Sequence, residues 1–318
     1  TMDKLLREID ISSPSHGLVC LANTASFNNT HFSEPLTTYA QGWRDPSNLQ
    51  GFLDFLFPPV QVPRRFEFRN FGESSDFLYD TDDARSPGAD FKRVKYTGSI
   101  QQSKTTNRGL TVFVDEDEVR DQPGWQELYT GRLLRRSIRN DLVTACGMIV
   151  AAADNTAKTW GAESDPDADL ISLVDGAGDL IGFNPNRLAF FGAAWTKRIV
   201  ASRGKNTAGA IASLNLSTAD QVAQYVGAQR GTVVNFRVKS AAGKGKVSGN
   251  TVVAFYAEDG AGPEDPSHTK RFWSPCGDGT QYRVYVRQYS EKLWAITVER
   301  YVQLVVTSTV GLKKYTIS

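Results

Sequence analysis

Histidine and cysteine, on which most metal and nucleophilic sites depend, are scarce in this chain, with three of each in 318 residues. Cys20, Cys146 and Cys276 are odd in number, far apart and in no paired spacing, so neither a disulfide framework nor a zinc site is indicated and a reducing compartment fits. His16, His31 and His268 sit in polar, loop-like stretches without an acidic or nucleophilic partner at a recognised spacing, and the expectation is surface histidines. No apolar run reaches the length of a membrane span; residues 17–25 (GLVCLANTA) are too short and follow acidic residues. An excess of either charge is missing too. Thirty-six basic against thirty-five acidic residues leave a net charge of +1, which argues against a dedicated nucleic-acid condenser or a membrane-surface protein and makes any basic patch local.

What the chain does have is apolar material: 40% hydrophobic and 11% aromatic residues, enough for a core in two or three units. Its most distinctive stretch is 115–160, which opens on four acidic residues, continues through Pro123 and then runs about thirty residues without another proline. Trp125, Leu128, Tyr129, Leu133, Leu134, Ile138, Leu142, Val143, Cys146, Ile149, Val150 and Ala153 recur at helical spacing, with Arg132, Arg135, Arg136 and Arg139 between them. The spacing predicts one helix from Pro123 to about Ala157, about 50 Å at ~1.5 Å per residue and longer than a domain core requires. Gly131 and Gly147 inside it imply a kink or a close approach by another backbone.

Residues 1–62 carry the apolar patch Phe52, Leu53, Phe55, Leu56 and Phe57 but little periodicity, which suggests an extended arm. Strand patterns follow at 64–71, 91–98 and 109–114, the first two separated by a nineteen-residue acidic connection, 72–90. Two strands this polar, one on either side of a long acidic connection, are marginal alone, and their partner is expected on another chain. Beyond the long helix, 165–181, 193–202 and 217–227 read as helices, the last capped by Ser217. Residues 187–192, 232–240, 251–259, 281–289 and 293–309 read as strands. The fold class is α+β.

No enzyme motif survives comparison. The acidic run Asp115, Glu116, Asp117 and Glu118 suits a helix N-terminus better than a cation site. GKGKVSG (243–249) lacks phosphate-loop spacing and reads as a basic, flexible hairpin tip between strands. The arginines of the long helix fit salt bridges or a solvated face better than specific nucleic-acid binding. The acidic connection carrying Asp76, Asp80, Asp82 and Asp83 lacks calcium-hand spacing. No metal, cofactor or catalytic residue is expected.

The strings RRFEFRNFG, DFLYDTDDARSPGADFKRVKYTGS, GLTVFVDEDEV, PGWQELYTGRLLRRSIRNDLVTA and NPNRLAFFGAAWTKR resemble those of major capsid proteins of tailed bacteriophages, the fold named after phage Hong Kong 97. The resemblance implies an N-terminal arm at 1–62, an extended β-hairpin loop at 63–114 and a peripheral domain with a spine helix at 115–164. It further implies an axial domain at 165–285 and C-terminal strands, 286–318, returning to the peripheral domain. The implied function is self-assembly through pentamers and hexamers into an icosahedral shell around a double-stranded DNA genome. Such a protein would be located in the virion and assembled in the host cytoplasm. Implied partners are further copies of the chain, portal and scaffolding proteins, decoration proteins and packaged DNA bound non-specifically, with no membrane. Arg64, Arg65, Arg69, Asp80, Asp82, Asp83, Arg85, Lys92, Arg93, Lys95, Arg132, Arg135, Arg136 and Arg139 are the candidates for contact between subunits. An encapsulin-like compartment shell and a soluble α+β enzyme of unknown chemistry are the alternatives.

Overall fold

The structure, a computed structural model, describes residues 31–70, 83–93, 98–203, 218–240, 243–260, 262–277 and 279–318. It is α+β, and the chain divides into two compact units: one takes residues up to 44, 107–137 and 275–301, the other 45–106, 138–274 and 302–318.

In the first unit, α1 (Glu34–Gly42) begins with proline in its first turn, where a missing N–H costs nothing, and buries Leu36, Thr37 and Ala40. It is stitched to β12 (Arg283–Gln288), since the Val284 N–H donates to the Thr37 hydroxyl at 3.1 Å and the Ser33 N–H donates to the Val284 carbonyl at 3.1 Å. β12 runs antiparallel to β13 (Leu293–Val306), in a register that places Val284 opposite Val298 and Val286 opposite Ile296. On its other side β13 pairs with β4 (Thr106–Asp115). Gly109 sits there so close that a Cβ would lie 3.0 Å from the Val298 carbonyl oxygen. Leu133 and Leu134, from the front of the long helix α4 (Trp125–Ala152), close this core over Leu36, Ile296 and Val298. A single turn, α3 (Glu116–Val119), precedes α4 and is capped by Asp115, which accepts from the Asp117 N–H at 2.9 Å.

The second unit is built on a sheet in the order β5, β14, β10, β6, β7: Asp154–Lys158, Lys313–Ile317, Thr251–Phe255, Arg187–Phe191 and Arg230–Val234. RLAFF and TVVAF are buried at every position and so read as continuous rather than alternating apolar runs, as strands covered on both faces do. Leu170, Leu173 and Val174 of α5 (Pro166–Ile181), Ala194 and Ala201 of α6 (Ala194–Arg203), and Val222 and Ala223 of α7 (Ala219–Tyr225) pack on it. Each fully buried Leu, Val or Phe here contributes roughly 1.5–3 kcal/mol. Asp165 caps α5, and Gly182 ends it at φ 89°, the left-handed conformation that costs glycine least.

α2 (Leu49–Leu56) is held by its last carbonyls, which have no partner inside the helix. The buried Arg187 guanidinium donates to the carbonyls of Asp54 and Phe55, while the Thr269 hydroxyl donates to that of Leu56 at 2.6 Å. Arg187 also pairs with Asp259 at 2.7 Å, and Arg271 with the Asp54 carboxylate at 2.7 Å. After α2, β1 (Pro59–Gln61) pairs in parallel with β11 (Thr269–Ser274). β2 (Arg65–Asn70) and β3 (Ser99–Lys104) form a separate antiparallel ribbon, and β8 (Arg237–Ser240) and β9 (Gly243–Lys246) form another.

Several sequence expectations change. Residues 34–42 and 49–56 are helices with buried faces, not extended arm, and remote donors satisfy the last carbonyls of the second. The long helix starts at Trp125 and ends at Ala152, 28 residues or about 42 Å, and the chain then enters β5. Gly131 faces the Trp43 indole and the Tyr39 hydroxyl rather than another backbone, and Gly147 faces open space. The cap of α7 is Thr218, in a reciprocal box with Gln221, while Ser217 lies outside the described residues. Residues 91–93 are not strand, 94–97 lie outside the described residues, and the partner of β2 is β3, whose SIQQSK alternates too weakly to announce itself.

Candidate interaction surface

β2 has two unlike faces because side chains alternate along a strand. Phe66 and Phe68 point inward, their rings 4.4 and 5.7 Å from that of Phe272, in a cluster with Val60 and Val62. The expectation that this strand pair finds its partner on another chain is therefore corrected for the aromatic side of β2, which packs within its own chain. The other face carries exposed Arg65 and Glu67, set opposite Lys104 and Gln102 of β3. Gln102 Nε2 donates to Glu67 Oε1 at 2.9 Å, whereas Arg65 stands opposite a like charge. Five of the six β3 residues are exposed, so this strand is covered by little of its own chain.

Of the other candidate residues, Arg64 is exposed immediately before β2, and Arg69 is half-buried against Gly98. Asp83, Arg85, Lys92 and Arg93 are exposed; Arg85 donates to the Ala89 carbonyl at 3.2 Å and lies 4.7 Å over the Phe91 ring, itself 74% exposed. Asp80, Asp82 and Lys95 lie outside the described residues. On α4, Arg132, Arg135 and Arg136 are exposed, and Arg132 lies 4.9 Å over the Tyr129 ring. Arg139 is half-buried; it donates to the Arg237 carbonyl and covers the Phe236 ring at 5.7 Å. The structure thus sets Arg65 opposite Lys104, a residue that the sequence did not single out because only the β2–β3 register brings it in, while Arg69 lies further along β2 opposite Ile100.

The acidic run at 115–118 is used as a cap, with Lys292 Nζ 2.8 Å from Asp117. His268, expected at the surface, is 2% exposed: its Nδ1 accepts from the Tyr256 N–H at 2.9 Å and its Nε2 meets the Val310 carbonyl at 2.7 Å. Burial pulls its pKa down to about 4. Cys146 and Cys276 are buried free thiols, and burial pushes Cys146 up to about 12, far from a reactive thiolate. Lys270 is also interior, its ammonium held by the carbonyls of Gly262, Pro263 and Asp265. Among the described residues no group of three or more His, Cys, Asp or Glu could hold a metal ion, and no helix is long and apolar enough to cross a membrane.

The chain is similar in fold to a solved phage-related protein from Bordetella bronchiseptica RB50, with a TM-score of 0.69 over 90% of this chain and 97% of that one, at 22% identity. The chain has the fold of that phage-related protein. More distant similarity extends to a solved structure from Mycobacterium phage Cain, with a TM-score of 0.48, 10% identity and coverage of 93% and 97% of the two chains. The bacteriophage PhiM1 mature capsid follows at 0.45, 11% identity and coverage of 87% and 89%. No family model matches the chain, and no curated protein is similar to it.

Proposed function

We propose that this protein is the structural subunit of a phage capsid, which assembles with copies of itself into a closed icosahedral shell enclosing double-stranded DNA. The observation that carries this reading is the β2–β3 ribbon. It buries one aromatic side in its own chain and leaves a charged side, Arg65, Glu67 and Lys104, without cover, in a chain whose fold is that of a phage-related protein. The resemblance of strings such as RRFEFRNFG and PGWQELYTGRLLRRSIRNDLVTA to phage major capsid proteins supports the same reading.

In this reading residues 63–114 reach a neighbouring subunit, and Arg64, Arg65, Arg69, Arg85, Lys92 and Arg93 meet its acidic groups. One exposed pair contributes typically less than ~1 kcal/mol, but many such contacts in a closed lattice act together through effective concentration, and each stays weak enough to be corrected during growth. The exposed arginines of α4, Arg132, Arg135 and Arg136, form a second set of contacts between subunits. Shell formation brings in portal and scaffolding proteins as further partners.

Electron microscopy of the purified full chain tests the proposal. Closed particles, or pentamers and hexamers that close when scaffold is supplied, are expected. A protein that remains monomeric at high concentration with or without scaffold overturns it. Deleting residues 72–90 is expected to leave a soluble, folded chain that builds no shells, and normal particles from that variant would remove the extended loop from the mechanism.

A further inference from the structure

The ribbon of β8 and β9 has a charge pattern that the fold does not account for. Its register sets Arg237 opposite Lys246 and Lys239 opposite Lys244. Residues two apart on a strand, and residues directly opposite on antiparallel strands, share a face. The four cations therefore stand together on one side of the ribbon, with Val238 and Gly245 on the other, and all four are exposed. Like charges directly opposite one another destabilise a sheet. Among the described residues none of these four side chains has a carboxylate partner, and the backbone of the cluster is fixed by Arg139, which donates to the Arg237 carbonyl. A chain with a net charge of +1 has thus concentrated four positive charges on eight described residues.

We propose that this face binds the phosphate backbone of double-stranded DNA without reading sequence. The proposal rests on the shell reading only for the source of the DNA, the genome enclosed; the binding chemistry belongs to the ribbon itself. Phosphates accept from lysine and arginine regardless of base, and a two-stranded ribbon is of a size that the major groove admits, with phosphate rows on both sides. An acidic protein surface is the poorer match. Centres of protein interfaces are depleted in lysine and enriched in aromatic residues, and this face offers three lysines, one arginine and no apolar side chain.

The test measures binding of the full chain to a 24-base-pair duplex of arbitrary sequence, by fluorescence anisotropy between 50 and 200 mM salt. The comparison is a variant carrying Arg237→Gln, Lys239→Gln, Lys244→Gln and Lys246→Gln. Four phosphate contacts predict a salt slope shallower by about 3 to 4 in the variant, equivalent to about a hundredfold less affinity lost over that salt range. Two double variants, Arg237→Gln with Lys246→Gln and Lys239→Gln with Lys244→Gln, are expected to lose about half of the slope each and remain available if the quadruple variant does not fold. Relief of the like-charge pairs predicts melting temperatures no lower than that of the parent chain. Equal slopes in parent and variant, no binding by the parent, or preferential binding of polyglutamate over DNA would each overturn the proposal. Particle formation, scored separately by microscopy, tests the shell reading: particles that form but whose protein shows no ribbon-dependent DNA binding sink this inference alone.

Discussion

Arg198 Nε lies 2.7 Å from Asp167 Oδ1 and Arg198 Nη2 lies 3.1 Å from Asp167 Oδ2, a two-point pair joining α6 to the first turn of α5 with both side chains buried. The carboxylate also sits near the positive end of the α5 dipole, a second favourable electrostatic contact beside the guanidinium. Removing one member leaves the other charge buried and uncompensated. Arg198→Met is therefore expected to cost about 3–5 kcal/mol, while the double change Arg198→Met with Asp167→Leu recovers most of it, because two apolar side chains need no partner. Urea denaturation of the three chains measures this. A single variant within about 1 kcal/mol of the parent, on the scale expected for exposed pairs, would mean that water enters the site and that the pair does not hold the helices together.

Two glycines predict opposite signs for the same substitution. Gly192 has φ 62°, and a Cβ there would lie 1.8 Å from the Gly249 carbonyl oxygen, which is backbone and cannot swing aside. Gly192→Ala is expected to cost about 3 kcal/mol or more, or to abolish soluble expression. Gly147 lies inside α4 with nothing within 4 Å of a Cβ, and Gly147→Ala is expected to gain about 0.5–1 kcal/mol by helix propensity. Thermal melts of both variants decide; a neutral Gly192→Ala would mean that the β6–α6 turn can relax.

The difference between what residues announced and what the fold required follows the range of the interactions. α5 was legible because its determinants are local, with Asp165 as cap and Pro166 in the first turn. β6 was legible as an unbroken apolar run. α2 was not, because the donors that satisfy its last carbonyls, Arg187 and Thr269, come from more than a hundred residues away. β3 was missed since SIQQSK lacks alternation and is defined only by pairing with β2. Arg64, Arg65 and Arg69 were found as a charged run, but Lys104 comes to stand opposite Arg65 through register alone. His268 read as a loop residue from its polar neighbours PSHTK, and its burial comes from the Tyr256 amide and the Val310 carbonyl, both distant in sequence.

His268 gives the fold a pH dependence with a definite sign. The neutral ring accepts at Nδ1 from the Tyr256 N–H and donates from Nε2 to the Val310 carbonyl, so a second proton at Nδ1 would point at a donor. With the folded pKa at about 4 and the unfolded value at 6.5, the unfolded chain binds more protons between those limits and stability rises with pH across that window. The contribution is fully present above about pH 6.5 and is lost as pH falls towards 4, a change on the order of 3 kcal/mol at 1.36 kcal/mol per unit. His268→Gln is expected to lower stability at pH 7 and flatten this dependence. Parallel curves for the two chains from pH 7 to 4.5 would show that the ring is not the titrating group.

The surface on β2 and β3 can be separated from the fold by one substitution, because Arg65 stands opposite Lys104 and both are exposed. Within one chain this is a like-charge pair across strands, and Arg65→Glu converts it to an opposite-charge pair, stabilising the ribbon by about 0.2–1 kcal/mol. For a neighbouring subunit that presents carboxylates, the same change replaces attraction with repulsion at every copy of the contact. The expected outcome is a melting temperature equal to or above that of the parent together with failure to form particles. Adding Arg93→Glu is expected to deepen that assembly defect while raising salt weakens it, since exposed charges are screened within about 10 Å at 0.1 M. A variant that is more stable and still assembles normally would place the subunit contacts elsewhere, and one that both unfolds and fails to assemble would make Arg65 a residue of the fold.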